Sequence, residues 1–466
     1  MQLKPMYGML AKLALVSAVL ASSPALAESY PEANTLVPEG MQRYVASAFP
    51  DRIILLPGQH AATEQRLSWR TNTAVERSLV QLTVAQNTPG LHLTAHEVEG
   101  EWRLGESENG QAHHHAAVLS DLKPDTLYAY RVMGQDTWSE WFQFKTPKAS
   151  FSPSTVLYFG DAQNAVLSHY ARTVREAIRR TPHAEVMLYA GDLVNSRYGV
   201  LDDEWGEWFE ATGWMGASMM QVPVTGNHEF IEDEQEVRHL VSAWPLQFNL
   251  PTNGPEGLQD TVYFTDYQGV RYIALDSTQA VQSVDSARLQ GEWLKQVLAD
   301  NPNQWTVVIQ HHPMFSVSLG RDNPILRQYW QPVFEEFGVD IVLQGHDHTY
   351  GRSMANEQGP VYVVSVAGPK MYLVSENAEQ HMLRNAEDVQ LFQHLTFTEQ
   401  SLEYRAYTVT GELYDGFNLH QQAEGANRVE SIDLDGAEIR CQNPAPVRAT
   451  RCWNGTELIH APVGVK

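Results

Sequence analysis

The chain has 466 residues, more than one ordinary compact domain needs, and 43% of them are hydrophobic, as in a soluble globular protein. With 56 acidic against 32 basic residues its formal net charge is −24, a surface that repels nucleic acid and anionic lipid and argues against a nucleic-acid-binding role. At the N-terminus Lys4 and Lys12 precede the apolar run LALVSAVLA, which stops at Pro24-Ala25-Leu26-Ala27. This reads as a signal peptide over 1–27 that is cleaved after Ala27, followed by a linker over 28–50. No later segment approaches the roughly 20 continuous apolar residues of a membrane span. The expectation is an exported protein, most simply periplasmic.

From 51 to 148 the segments RIILLP, QRLSWRT, VQLTVA, HHAAVLSDL, LYAYRVMG and EWFQFKT alternate like strands between turn-prone residues. They predict a small antiparallel sandwich, and LKPDTLYAYRV, starting at Leu122, resembles the L-x-P-x-T-x-Y run of fibronectin type III-like modules. His113-His114-His115 invites a metal reading there, with an edge-of-site contact or a plain structural role as alternatives. From 151 to 415 apolar strands alternate with amphipathic helices, expected at 168–180 and 287–300, which predicts an α/β domain with a mixed sheet. Its aromatic segment DDEWGEWFEATGWMG reads as a helix that buries Trp205, Trp208 and Phe209. A tail over 416–466 contains Cys441 and Cys452, the only two cysteines. In an oxidising compartment they are expected to form one disulfide.

Five apolar runs end in ligand-capable residues: TVLYF at Asp161, VMLYAGD at Asp192, VPVTGNHE at Asn227-His228, TVVIQHH at His311-His312, and IVLQGHDH at His346 and His348. In open α/β sheets ligands gather at the carboxyl ends of strands, so the five endings should converge. Together they offer carboxylate, amide and imidazole donors, a mixture suited to two borderline divalent metals. Two cations about 3.5–4 Å apart need an anionic bridge, which Asp192 could supply.

The ordered set Gly-Asp161, Gly-Asp192, GNHE from Gly226, VIQH from Val308 and GHDHTYGRS from Gly345 resembles the calcineurin-like metallophosphoesterases. Within that superfamily it is most similar to the purple acid phosphatases, which carry a fibronectin-like N-terminal domain. The resemblance implies hydrolysis of phosphate monoesters by a metal-activated hydroxide at a dinuclear centre. A phosphodiesterase or nucleotide hydrolase on the same site is the alternative, as is a secreted binding or adhesion protein with an inactive phosphoesterase domain. One metal would take Asp161, Asp192 and His348, and the other Asp192, Asn227, His311 and His346. His228 would contact the phosphate and act as general acid. The implied substrate is a phosphorylated small molecule, and the oligomeric state is left open.

The sequence departs from that family in one place. Its Tyr ligand, three residues after the bridging Asp, is here Asn195, and Tyr198 stands at the wrong spacing to replace it. Gln163, where the wider superfamily often has His, either ligates through its carbonyl or hydrogen-bonds a ligand. No tyrosinate-to-iron band is expected, and iron, manganese, zinc or magnesium are all possible, divalent or mixed-valent. His312 is expected to back a ligand or meet substrate, with a plain capped polar residue as the alternative, and Tyr350 and Arg352 to buttress the last loop. His169 is expected to be structural.

Overall fold

The computed structural model describes residues 35–38, 40–195, 201–354, 359–422, 427–434, 436–442, 444 and 450–452. The leader, its cleavage site and Tyr198 lie outside these described residues.

Alternating apolar residues build the N-terminal sandwich from β1 (Asp51–Pro57), β2 (Gln65–Thr71), β3 (Leu79–Val84), β4 (His96–Glu99), β5 (Glu101–Ser107), β6 (Gly110–Leu119), β7 (Leu127–Val132) and β8 (Phe142–Lys145). Two antiparallel sheets, in the orders β1-β2-β6-β5 and β4-β3-β7-β8, close on Leu67, Trp69, Leu82, Tyr130 and Phe144. Strands β4 and β5 were not anticipated, because HEVE and EWRLGES are almost wholly exposed and carry little apolar alternation. The Lys123 N–H donates to Tyr128 Oη at 2.8 Å, which pins the sandwich corner.

The three consecutive histidines lie on β6, so their side chains alternate between faces. His113 Nδ1 meets the Val75 carbonyl, and His115 sits between Thr71 and Ser78 with its ring stacked on Trp69. His114 lines a cavity of about 140 Å³ with Arg52 and Arg70; burial, then those two guanidiniums, pushes its pKa down to about 3. The triplet is a structural element, and no metal-binding group forms on it among the described residues.

In the second domain β9 (Ser154–Phe159), β10 (Val186–Tyr189) and β11 (Met220–Pro223) are parallel neighbours. The short hairpin β12 (Phe230–Glu232) and β13 (Arg238–Leu240) follows, then β14 (Tyr263–Tyr267), β15 (Val270–Ala274), β16 (Trp305–Ile309), β17 (Ile341–Gln344), β18 (Tyr350–Ser353), β19 (Val361–Val364) and β20 (Met382–Ala386). The last four strands are β21 (Leu391–Phe397), β22 (Ser401–Thr408), β23 (Leu413–His420) and β24 (Arg428–Ser431). Two seven-stranded mixed sheets result, β11-β10-β9-β21-β22-β23-β24 and β14-β15-β16-β17-β19-β18-β20. Their facing sides share a core that includes Leu157, Leu188, Tyr272, Ile309, Leu343 and Leu395.

Helix limits differ slightly from expectation. The first helix is Ala171–Arg180, because Ala165 turns left-handed at φ +47° and a π-turn occupies Val166–Tyr170. That turn carries His169, whose Nδ1 meets Ser168 Oγ. Another helix, Val284–Ala299, begins earlier than 287 because the Ser283 hydroxyl accepts from Ser286 N and caps it. Helix Leu201–Thr212 buries Trp205 and Trp208, with Phe209 partly buried against the same core.

The expected domain end at 415 is corrected: it falls inside β23, which continues to His420 because Phe417 and Leu419 are buried, and β24 then pairs with it. Beyond this the described tail carries the Cys441–Cys452 disulfide. Cys452 packs on Val366 and Met371.

The two domains are joined through buried charge. Arg52 Nη1 donates to Asp202 Oδ1 at 2.6 Å, and Arg70 Nη1 is 3.0 Å from Asp202 Oδ2, with all three side chains under a tenth exposed. Asp202→Ala strands the buried Arg52 guanidinium, while Arg70 keeps Asp51 at 2.7 Å, and should cost about 3–5 kcal/mol of stability, read as a lowered urea midpoint. A loss below about 1 kcal/mol would show that the triad is not holding the domains.

Candidate metal centre

Each candidate donor leaves the carboxyl end of a parallel strand: Asp161 after β9, Asp192 after β10, Asn227 and His228 after β11, His311 after β16, His346 and His348 after β17. Because β9, β10 and β11 adjoin in one sheet, and β16 and β17 in the other, two sets of strand ends face one another. Four of the donors have left-handed backbones, with φ +44° at Asp161, +51° at Asp192, +72° at His346 and +50° at His348. Each such residue costs about 1–3 kcal/mol, so the surrounding packing holds them there against strain. Two motif glycines make room: a Cβ on Gly226 would lie 2.2 Å from Asp192 Oδ1, and one on Gly345 2.5 Å from Asp161 Oδ2. A G-N-H or G-H-D run is thus needed because another motif's carboxylate rests against the glycine.

The arrangement contains two donor groups, Asp161-Asp192-His348 and Asp192-His311-His346, each with its ligand atoms within 4.8 Å of one another. Asp192 belongs to both. His311 Nε2 is 3.2 Å from Asp192 Oδ2, 3.2 Å from Asn227 Oδ1 and 3.1 Å from His346 Nδ1. Ligands bonded at about 2.0–2.2 Å around one cation stand roughly 3.0–3.5 Å apart, so these spacings are edges of a coordination shell. His311 Nδ1 meets the Ala190 carbonyl at 2.8 Å, which fixes the ring and leaves Nε2 facing inward. Asp161 Oδ1 is buried without a hydrogen-bond partner, and it is 3.7 Å from His348 Nε2. A bound cation would satisfy that oxygen, and the mixed carboxylate, imidazole and amide set fits borderline divalent metals.

Charge in the cation-free cage is balanced by protons. Burial, with repulsion from Asp192, pushes Asp161 up to about 8 despite His311. Burial opposes ionisation of Asp192 too, but His311 and His228 outweigh it and hold its carboxyl well below the usual range. Burial lowers His311, yet Asp192 and Asp161 reverse this and raise it to about 9.

Around the donors, Gln163 is turned so that Nε2 donates to Asp192 Oδ2 at 2.6 Å and lies 3.2 Å from His348 Nε2. Its Oε1 faces Lys370, at 3.5 Å. The Asn195 carbonyl orients His228 through Nδ1 at 2.8 Å, while the Asn195 N–H donates to Glu204. His312 packs on His346 with centroids 4.1 Å apart and the ring planes tilted by 39°, its Nδ1 on Ser277 Oγ. Tyr350 and Arg352 both donate to Asp415 on β23, at 2.7 and 2.6 Å, so they brace the strand after the G-H-D-H loop from behind.

Sequence reasoning missed several supports. Glu229 accepts from the N–H groups of Asp192, Leu193 and Gly226, tying two donor loops together. Asp347 accepts from Val317 and Ser318 N–H, and Ser277 Oγ accepts from the His311 and His312 N–H groups. Glu229 and Asp347 were visible only as the unassigned letters inside GNHE and GHDH; Ser277 carried no local signal.

A family model described as the calcineurin-like phosphoesterase matches residues 154–350, and the purple acid phosphatase N-terminal domain matches 50–146. By its α/β domain, residues 154–350, the chain groups with the calcineurin-like metallophosphoesterases. Within them it has the domain arrangement of the purple acid phosphatases, a β-rich N-terminal domain followed by the α/β domain. An uncharacterised protein of Mycobacterium tuberculosis is 26% identical over 326 residues, 64% of this chain and 60% of that protein, so the match spans under two thirds of that relative. The Fe(3+)-Zn(2+) purple acid phosphatase 12 of Arabidopsis thaliana is 24% identical over 408 residues, 80% of this chain and 81% of that one. Among solved structures, a purple acid phosphatase from yellow lupin (Lupinus luteus) seeds shares the fold with a TM-score of 0.67 at 17% identity, covering 80% of this chain and 75% of that one.

The proton inventory predicts a pH slope. Asp161 (3.8 unfolded, about 8 folded) and His311 (6.5 unfolded, about 9 folded) both bind protons more tightly when folded. Their contribution is complete below the unfolded values and is lost as pH rises through the folded ones. Asp192, depressed, acts only below its ordinary 3.8. The melting temperature of chelator-treated protein should therefore fall between pH 6 and 9, and manganese should remove that slope. Equal slopes with and without cation would contradict the balance.

Proposed function

We propose that this chain is an exported, metal-dependent phosphoesterase that hydrolyses phosphate monoesters of small molecules. One cation would be held by Asp161, Asp192 and His348, the other by Asp192, Asn227, His311 and His346, with iron, manganese or zinc as the candidates. The observation that carries this reading is the membership of Asp192 in both donor groups, which would let one anionic side chain serve two cations. When bound, such a pair lowers the pKa of water and draws charge off phosphoryl oxygens.

The chain's own residues orient and transfer protons. With Nδ1 committed to the Asn195 carbonyl, His228 presents Nε2 beside Asp192, at 3.9 Å, as the donor to the leaving oxygen. Gln163 holds Asp192 from one side and the His228 N–H, at 2.7 Å, from the other, which limits the carboxylate's rotation. The export reading is supported by the apolar leader and the disulfide.

The test is turnover of p-nitrophenyl phosphate against bis-p-nitrophenyl phosphate, with and without chelator. The monoester should be cleaved and the diester cleaved far less, with chelation stopping both. His228→Ala should lower kcat by about 10²–10⁴ without changing bound cation content. Turnover of the diester alone would assign a phosphodiesterase. No turnover of either by cation-loaded protein would end the enzyme reading.

A further inference from the structure

In a chain of net charge −24, three cations gather on one ring beside the cage. The charged groups of Arg321, Lys370 and Arg451 lie 4.8, 5.7 and 5.1 Å from the centroid of the Tyr372 ring. Tyr372 packs on His348 with centroids 4.9 Å apart, and its N–H donates to the His348 carbonyl at 3.1 Å. Arg321 donates to the His346 carbonyl, and Lys370 reaches Gln163, the residue that holds Asp192. The cluster is thus built onto the loops that carry the donors.

Holding the ring does not account for it. One cation suffices for an aromatic face, and three around the same ring repel one another. Arg321 has a carboxylate partner in Asp347, at 3.3 Å. Lys370 and Arg451 have no ion-pair partner among the described residues. Burial lowers the pKa of Lys370 although Tyr372 and Asp192 oppose it, and a bound anion would offset that penalty.

The tail is what brings Arg451 here. Leu373 N–H donates to the Thr450 carbonyl at 2.9 Å and Cys452 N–H to the Met371 carbonyl at 3.2 Å, clamping the chain on both sides of Arg451. The disulfide to Cys441 closes the clamp. Arg451 Nη2 then donates to Tyr372 Oη at 3.1 Å.

We propose that Arg321, Lys370 and Arg451 form an anion subsite adjoining the metal cage, which takes a second phosphate group of the substrate, and that the disulfide-tied tail serves to place Arg451 in it. A phosphate within the cage would be met by the bound cations and by His228. Lys370 is separated from Asp192 by the Gln163 amide, and Arg451 lies out at the Tyr372 hydroxyl, so the anion they bind is the neighbouring group. The substrate class is a phosphoester or phosphoanhydride carrying at least two phosphates. This rests on the phosphoesterase reading, and it is tested by binding, which needs no turnover.

Calorimetry on the manganese-loaded full chain should show pyrophosphate binding at least about tenfold tighter than orthophosphate, the size of one or two charge-assisted hydrogen bonds. Arg451→Gln should reduce that ratio at least about fivefold, Arg451→Lys should retain most of it, and reducing the disulfide should act like Arg451→Gln. Lys370→Met provides a second variant, with the same expected loss of ratio. An unchanged ratio in both neutral variants, equal weakening of the two anions, or no measurable pyrophosphate binding would overturn the subsite. If the ratio behaves as expected while p-nitrophenyl phosphate is not cleaved, the subsite stands and the enzymatic reading falls.

Discussion

Two carboxylates, Asp161 and Asp192, are buried side by side where the strand ends of two sheets meet, and the rest of the site compensates that charge. Two anions so close in a dry interior cannot both ionise unless positive charge is supplied. In the cation-free protein a proton shifted onto His311 and a raised Asp161 supply it. Divalent cations supply it better, because the imidazole and amide donors already stand at coordination spacing. The same logic explains why the outer supports are polar yet fully buried: Glu229, Gln163 and Ser277 spend their hydrogen bonds on donor loops.

The scaffold holds this arrangement against its backbone preferences. Left-handed Asp161, Asp192, His346 and His348 would relax if their loops were free, but the loops are knitted together across the two sheets. The His346 N–H donates to Asp161 Oδ2 and the His228 N–H to Asp192 Oδ1, each at 2.7 Å, so each carboxylate anchors a loop of a different motif. Behind them Asp415 on β23 grips both Tyr350 and Arg352. The outer sheet edge is therefore tied to the loop that carries His346 and His348 by contacts as well as by topology.

Much of this was legible because strand periodicity and local motifs are short-range signals. Buried strands such as TVLYF and TVVIQHH are nearly continuous apolar runs, and each is followed within two residues by a polar side chain capable of ligation. Exposed strands β4 and β5 lacked that pattern. The boundary at 415 failed because β23 and β24 are edge strands whose place depends on pairing with β22, a contact that no local pattern encodes. Gln163 could be narrowed to two roles from its spacing, but its contacts with Asp192 and Lys370 join residues far apart in the chain, which no local pattern encodes. Arg321, the Lys370–Tyr372 pair and Arg451 come from three distant segments, and Arg451 joins the others because the disulfide-tied tail returns to residues 371–373.

The central claim is that one carboxylate serves two cations, and counting bound metal per chain tests it most directly. Elemental analysis of the manganese-loaded protein should give two cations per chain, about one in His348→Ala and none in Asp192→Asn. An Asp192→Asn protein that stays folded and still carries two cations would show that the donor groups do not share that side chain.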